Sequence, residues 1–124
     1  MNQVMVIAAG GAFGSVMRYM LSMWVHSFAG RGFPYGTLAV NVLGCLAMGF
    51  LFVLLVERMG ESALWRAGLL IGVLGGFTTF SSFSIETFNL IEQGALLKAA
   101  GNMAASLFLC LGATWLGVIL ARQL

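Results

Sequence analysis

Long apolar runs separated by short clusters of charge make up the chain, and each run approaches the roughly 20 residues that a helix needs to cross about 30 Å of hydrocarbon. The pattern predicts spans over residues 4–28, 37–56, 64–91 and 96–120. Glycines followed by β-branched residues interrupt the third run in its middle, where Gly72, Gly75 and Gly76 precede Thr78 and Thr79. The expected fold class is an all-α integral membrane protein of four transmembrane helices with a broken third helix. The connections are only a few residues long, so residues 1–124 are expected to form a single transmembrane domain. Met1-Asn2-Gln3 brings no Lys or Arg ahead of the first run, which is also too long for the apolar core of a signal peptide. The first run is therefore expected to remain as a helix.

Composition agrees with lipid as the solvent. With 60% hydrophobic and 8% charged residues among 124, the chain has too little polar surface to cover a water-soluble globule. Four spans put both termini on one side, which receives Arg58, Arg66 and Arg122, against Arg31 and Lys98 opposite, a count of three to two. A bias so small gives the positive-inside rule almost nothing to act on. Insertion in both orientations and pairing as an antiparallel homodimer are expected, with one weakly held orientation as the alternative. Transporters often build midplane sites between inverted repeats, and an antiparallel partner would supply the repeat that four helices cannot contain.

Polar residues at membrane depth carry the candidate chemistry. On the first helix Gly10, Gly14, Arg18 and Ser22 recur at steps of four and share a face. The glycines suit close helix packing. Arg18 would cost about 2.5 to 3.5 kcal/mol at a helix centre and so needs a partner, an aqueous vestibule or an interface. Thr37 and Asn41 share a face of the second helix, where the amide could join helices or donate to a dehydrated anion. Freed carbonyls at the break of the third helix need water, a hydroxyl or a cation. Beyond it, Phe80, Phe83 and Thr87 lie on one face beside Ser81 and Ser84, and aromatic ring edges are positive. Glu86 is an intramembrane carboxylate of a kind usually reserved for function. The fourth helix carries Asn102, Ser106, Cys110 and Thr114 at steps of four, either as interhelical bonding or as a second pore wall. Cys45 and Cys110 fall in mid-span and read as small packing residues. Trp24, Trp65 and Trp115 read as interfacial anchors, and His26, alone near a span end, as interfacial rather than metal-binding. No paired carboxylates, nucleophile with histidine base or metal-ligand cluster occur in the spans, which argues against an enzyme.

The motifs Gly11-x-x-Gly14-x-x-x-Arg18-Tyr19, Gly36-Thr37-Leu38-x-Val40-Asn41-x-x-Gly44 and Gly72-x-x-Gly75-Gly76-Phe77-Thr78-Thr79-Phe80-Ser81-Ser82-Phe83-Ser84-x-Glu86 run in order through the chain. Together they resemble the Fluc (CrcB-type) fluoride channels of bacteria. The resemblance implies a single channel domain in the bacterial inner membrane, assembled as an antiparallel, dual-topology homodimer with two pores. Its role would be passive fluoride export after neutral HF has entered from an acidic exterior and dissociated, with lipid, fluoride, sodium and a second copy as partners and no nucleic acid. By motif, Phe80 and Phe83 look like the aromatic box that meets the ion and Asn41 like the pore amide. Thr79, Ser81, Ser106 and Thr114 look like pore or break-stabilising hydroxyls, and Arg18 and Glu86 like vestibule groups. Gly75 and Thr78 look like carbonyl donors to a structural Na+ on the dimer axis. Asn102 stands where the family's polar track often begins with a tyrosine, so Ser106 is the firmer match, and Phe77 is given no role. The contrasting reading, a small proton-coupled, dual-topology multidrug exporter, would need a carboxylate in the first helix, which has Arg18 instead.

Overall fold

The computed structural model describes residues 2–59 and 63–124. The charged connection between the second and third apolar runs, Glu57-Arg58-Met59-Gly60-Glu61, reads in the sequence as a short turn without a function of its own and lies partly outside the described residues. Among the described residues all regular structure is helical: α1 (Asn2–Ala29), α2 (Tyr35–Phe52, widening into π-helical turns over Val53–Met59), α3, α4 (Phe80–Glu92) and α5 (Leu96–Arg122). Helix α3 is composite, with Ala63–Trp65 and Leu74–Phe77 as ordinary α-helix and wider π-helical turns over Arg66–Val73 between them. Four helical stretches are long and apolar enough to cross a membrane, Asn2–Ala29, Tyr35–Arg58, Ala63–Glu92 and Leu96–Arg122. The turn after α1 and the turn between α4 and α5 pass through Gly30 and Gly94, at φ of +82° and +78°, where a side chain would be strained.

Two parallel helix pairs organise the molecule, and small residues make both possible. Lipid tails are as apolar as leucine, so helices in a membrane associate by close packing rather than by escaping water. In the first pair, α1 lies on α3: a Cβ on Gly14 would run into the Val73 carbonyl, and one on Gly76 would meet the Gly11 carbonyl oxygen at 2.6 Å. The glycine face of α1 is therefore a packing face. In the second pair, α2 lies on α5, where a Cβ on Gly49 would strike the Thr114 carbonyl and one on Gly117 the Leu46 carbonyl. Farther along, Arg122 meets Glu57 in a two-pronged ion pair at 2.8 and 3.2 Å, 65 residues apart in sequence. Gly49 and Thr114 stand at that same offset, so α2 and α5 keep one register for several turns.

The helical conformation of the third span is interrupted at Thr78 and Thr79. Thr78 adopts φ −82°, ψ 155° and Thr79 φ −150°, ψ 118°, both extended, before α4 restarts at Phe80. The interruption falls on the threonines and spares the glycines. Gly75 and Gly76 stay in the last helical turn, and Gly76 is spent on the close approach to Gly11.

The α2–α5 contact gives a direct test. Gly49→Ala should destabilise the fold by about 1 to 3 kcal/mol through overpacking of backbone on backbone, seen as a lower thermal midpoint in detergent by circular dichroism. Gly112→Ala, with nothing within 4 Å of the added carbon, should leave the midpoint unchanged or slightly raised. Equal midpoints for the two variants would count against the contact.

Candidate functional site

An interrupted helix strands the groups that its i to i+4 bonds would have satisfied, and each unpaired one is costly in hydrocarbon. Side chains answer part of that need. Asn41, from α2, works in both directions on one residue: its Nδ2 donates to the Thr79 carbonyl at 2.9 Å, and the Thr79 amide donates to its Oδ1 at 2.8 Å. Arg18, from α1, donates through Nε to the Gly76 carbonyl at 3.1 Å. Thr79 itself caps α4, its Oγ1 accepting from the Ser82 amide at 3.2 Å. Thr78 turns its hydroxyl back to the Leu74 carbonyl at 2.9 Å. These bonds leave a remainder. In a continuous helix the Thr79 amide would serve the Gly75 carbonyl and the Ser82 amide the Thr78 carbonyl, and both amides are engaged elsewhere. Gly75 is exposed on the outer side of the chain.

Beside the break lies a cavity of about 400 Å³ whose wall includes Asn41, Thr79, Phe80, Phe83 and Ser106. The Phe80 and Phe83 rings stand 5.3 Å apart, centre to centre, at 41°. Phe80 is 77% exposed, so its ring borders the cavity while most of it is uncovered by this chain. On the other side of Thr79 a smaller cleft of about 140 Å³ is bordered by Arg18, Ser22, Thr37 and Glu86. Thr79 borders both spaces. Within the cleft, Glu86 Oε1 is buried without a hydrogen-bond partner. Cleft and cavity thus meet at Thr79: a guanidinium and a carboxylate border the one, and an amide and a hydroxyl stand with two rings in the mainly apolar wall of the other.

The sequence candidates divide by helix. Asn41, Thr79, Phe80, Phe83 and Ser106 come together around the cavity, and Arg18 and Glu86 share the cleft. Ser81 lies outside both, exposed, with its hydroxyl 3.3 Å from that of Thr79. Thr114 also lies outside, because α2 and α5 close on each other at Gly49 and leave no space there. Asn102 is 2% exposed and donates to the Thr87 hydroxyl at 2.8 Å, so this amide ties α5 to α4. The polar stripe of α5 therefore changes purpose along its length, from helix joint at Asn102 to cavity wall at Ser106 and Cys110 to backbone contact at Thr114. Thr78, Cys45, Met48 and Met103 also line the cavity. For three of them helical spacing held the signal: Met48 follows Asn41 by seven residues and Cys45 by three, and Met103 precedes Ser106 by three.

Comparison with known proteins bears on what this arrangement serves. The family described as "CrcB-like protein, Camphor Resistance (CrcB)" matches residues 5–118. A "Fluoride-specific ion channel FluC" of Coxiella burnetii is 52% identical over 125 residues, covering 100% of both chains. One of the same name from Geobacter metallireducens is 48% identical over 124 residues, again 100% of both. That of Methylococcus capsulatus is 50% identical over 118 residues, which are 95% of this chain and 52% of that protein, so this chain spans about half its length. These relatives are named as channels and not as enzymes. With the family match covering residues 5–118 and relatives alike from end to end, the chain belongs to the CrcB-like family.

Proposed function

We propose that the chain is a fluoride-selective channel that lets F− leave the cytoplasm passively and so relieves fluoride toxicity. It works in the bacterial inner membrane as an antiparallel, dual-topology homodimer with two pores and a structural Na+ at the interface. The observation that carries this reading is the junction at Thr79, which borders both cleft and cavity. Relatives named as fluoride-specific channels name the ion.

Fluoride is small and firmly hydrated, and an unpaired ion in a medium like the bilayer core costs tens of kcal/mol. A path for it must offer donors at every step, none so strong that the ion cannot leave. Arg18 supplies positive potential at the cleft, and its charge is partly committed to the Gly76 carbonyl. Asn41 spends one amide hydrogen on Thr79 and keeps the second for the cavity. Ser106 contributes a hydroxyl, and Phe80 and Phe83 can contribute ring edges. All four are neutral, which suits an anion that must move on.

The dimer and its sodium rest on what this chain leaves open. Phe80 and Ser81 are exposed on one helix, and exposed hydroxyls at membrane depth seek partners. The Gly75 and Thr78 carbonyls lack their usual helical donors, and carbonyl oxygens suit a hard cation. Gly75 and Thr78 of two copies would hold the ion, whose charge would draw the two breaks together.

Four outcomes test the reading. Protein in liposomes loaded with fluoride should give rapid valinomycin-dependent efflux at a fluoride electrode and none for chloride; efflux that required a proton gradient would sink it. Asn41→Asp keeps the acceptor for the Thr79 amide and removes the donors, so efflux should fall by about 10- to 100-fold, the worth of a hydrogen bond to a charged partner. Its circular dichroism should stay helical, and undiminished efflux would remove Asn41 from the path. Phe80→Ala should slow efflux by at least about 10-fold on the same scale, whereas Phe108→Ala, on an exposed face of α5, should not; equal rates would exclude the ring. Replacing Na+ by N-methylglucamine should lower the thermal midpoint of the dimer, and an unchanged midpoint would argue against the sodium.

A further inference from the structure

The register between α2 and α5 makes a pair of the two cysteines. Gly49 lies against Thr114 and Glu57 against Arg122, at an offset of 65 residues. Cys45 and Cys110 stand at the same offset, one turn from Asn41 and Ser106, on helices whose backbones nearly touch. Both side chains are free thiols, and both border the same cavity. Met48 follows Cys45 by three residues and borders it too. Two thiols and a thioether thus converge where, among the described residues, no group of three His, Cys, Asp or Glu side chains could hold a metal.

We infer that Cys45 and Cys110 form a two-sulfur site in the cavity wall for a soft, thiophilic cation, with Met48 as a weak third donor. Soft thiolate and thioether ligands select soft metals, and zinc would ask for four firm ligands that this wall does not offer. A linear two-coordinate d10 ion needs only the two sulfurs. Hg(II) is the best match by charge. Each thiol releases its proton to cavity water, a sulfur–metal bond replaces each S–H bond, two negative sulfurs cancel two positive charges, and no oxidation state changes. The neutral product is tolerable at membrane depth. The site goes beyond the fluoride reading, but one consequence rests on that reading: a metal one turn from Asn41 and Ser106 would obstruct the path and stop efflux.

The test titrates the reduced, full-length protein in detergent with mercuric chloride, following the ultraviolet mercury–thiolate absorbance and the free thiols together. One Hg(II) per chain should consume both thiols. Cys45→Ser and Cys110→Ser should each bind at least about 100-fold more weakly, since the second sulfur acts at high effective concentration. Met48→Leu should retain the stoichiometry. Two Hg(II) per chain, or single variants that bind as tightly as the parent, would overturn the site. Helical circular dichroism and a monodisperse elution profile guard against misfolded variants, and Cys45→Ala repeats the comparison without a hydroxyl. In liposomes, Hg(II) should abolish efflux by the parent and spare the Cys45→Ser/Cys110→Ser double variant. Efflux unchanged in metal-loaded parent would overturn the placement beside the path. If the untreated parent passes no fluoride, the channel reading fails while the titration still decides the site.

Discussion

A helix that stops in the middle of a bilayer has few sources of hydrogen bonds, and the two-way bond between Asn41 and Thr79 is what makes the stop tolerable here. Water is absent from the hydrocarbon core, and an unsatisfied backbone group there costs several kcal/mol. An amide side chain carries a donor and an acceptor on separate atoms, so it can pair with the amide and the carbonyl of one residue at once. Asn41 does this at 2.9 and 2.8 Å, giving the Thr79 amide the acceptor that the helix no longer supplies and adding a donor to the Thr79 carbonyl. The extended stretch at Thr78 and Thr79 and the restart of α4 follow from it.

Once Asn41 is held there, much of the site is fixed. Its bonded hydrogen points at Thr79, which aims the remaining one, and Thr79 is locked as the cap of α4. That cap sets the phase of α4 and with it the side on which Phe80 and Phe83 emerge. Arg18 takes the Gly76 carbonyl on the opposite face of the break, which keeps a cation beside the cleft, and among the described residues no carboxylate is in ion-pair contact with it. Structure and chemistry use the same atoms. Asn41 read in the sequence as either a joint between helices or a donor to an anion, and an amide with two hydrogens has enough valence for both.

What could be read from the chain alone was whatever depends on spacing along one helix. The four apolar helices, the glycine face of α1 and the grouping of Phe80, Phe83 and Thr87 are of this kind, because 3.6 residues per turn fixes which side chains share a face. What could not be read is how one helix stands against another. The stripe of α5 was regular at steps of four, yet only the closure at Gly49 separates Ser106, in the cavity, from Thr114, outside it. The cysteines looked like unrelated packing residues because their relation is an offset between helices. The position of the interruption shows a competition of local effects. Glycine is a poor helix former in water, but in a membrane its smallness is repaid by close packing, as Gly76 is against Gly11. Thr78 packs its methyl against Gly44 of α2, and the threonine hydroxyls offer the backbone other partners.

The break also leaves a remainder that this chain does not resolve internally, and the remainder has a direction. Side chains reach the carbonyls of Gly76 and Thr79, on the sides facing α1 and α2. The carbonyls of Gly75 and Thr78 lose their helical donors, and Gly75 lies on the exposed side. Phe80 is exposed close by. Apolar exposure alone would mean only lipid. Polar backbone exposed at membrane depth is different, since lipid tails can neither donate a hydrogen bond nor coordinate an ion. The surface around the break therefore calls for a second polar surface, which the antiparallel copy proposed above would supply.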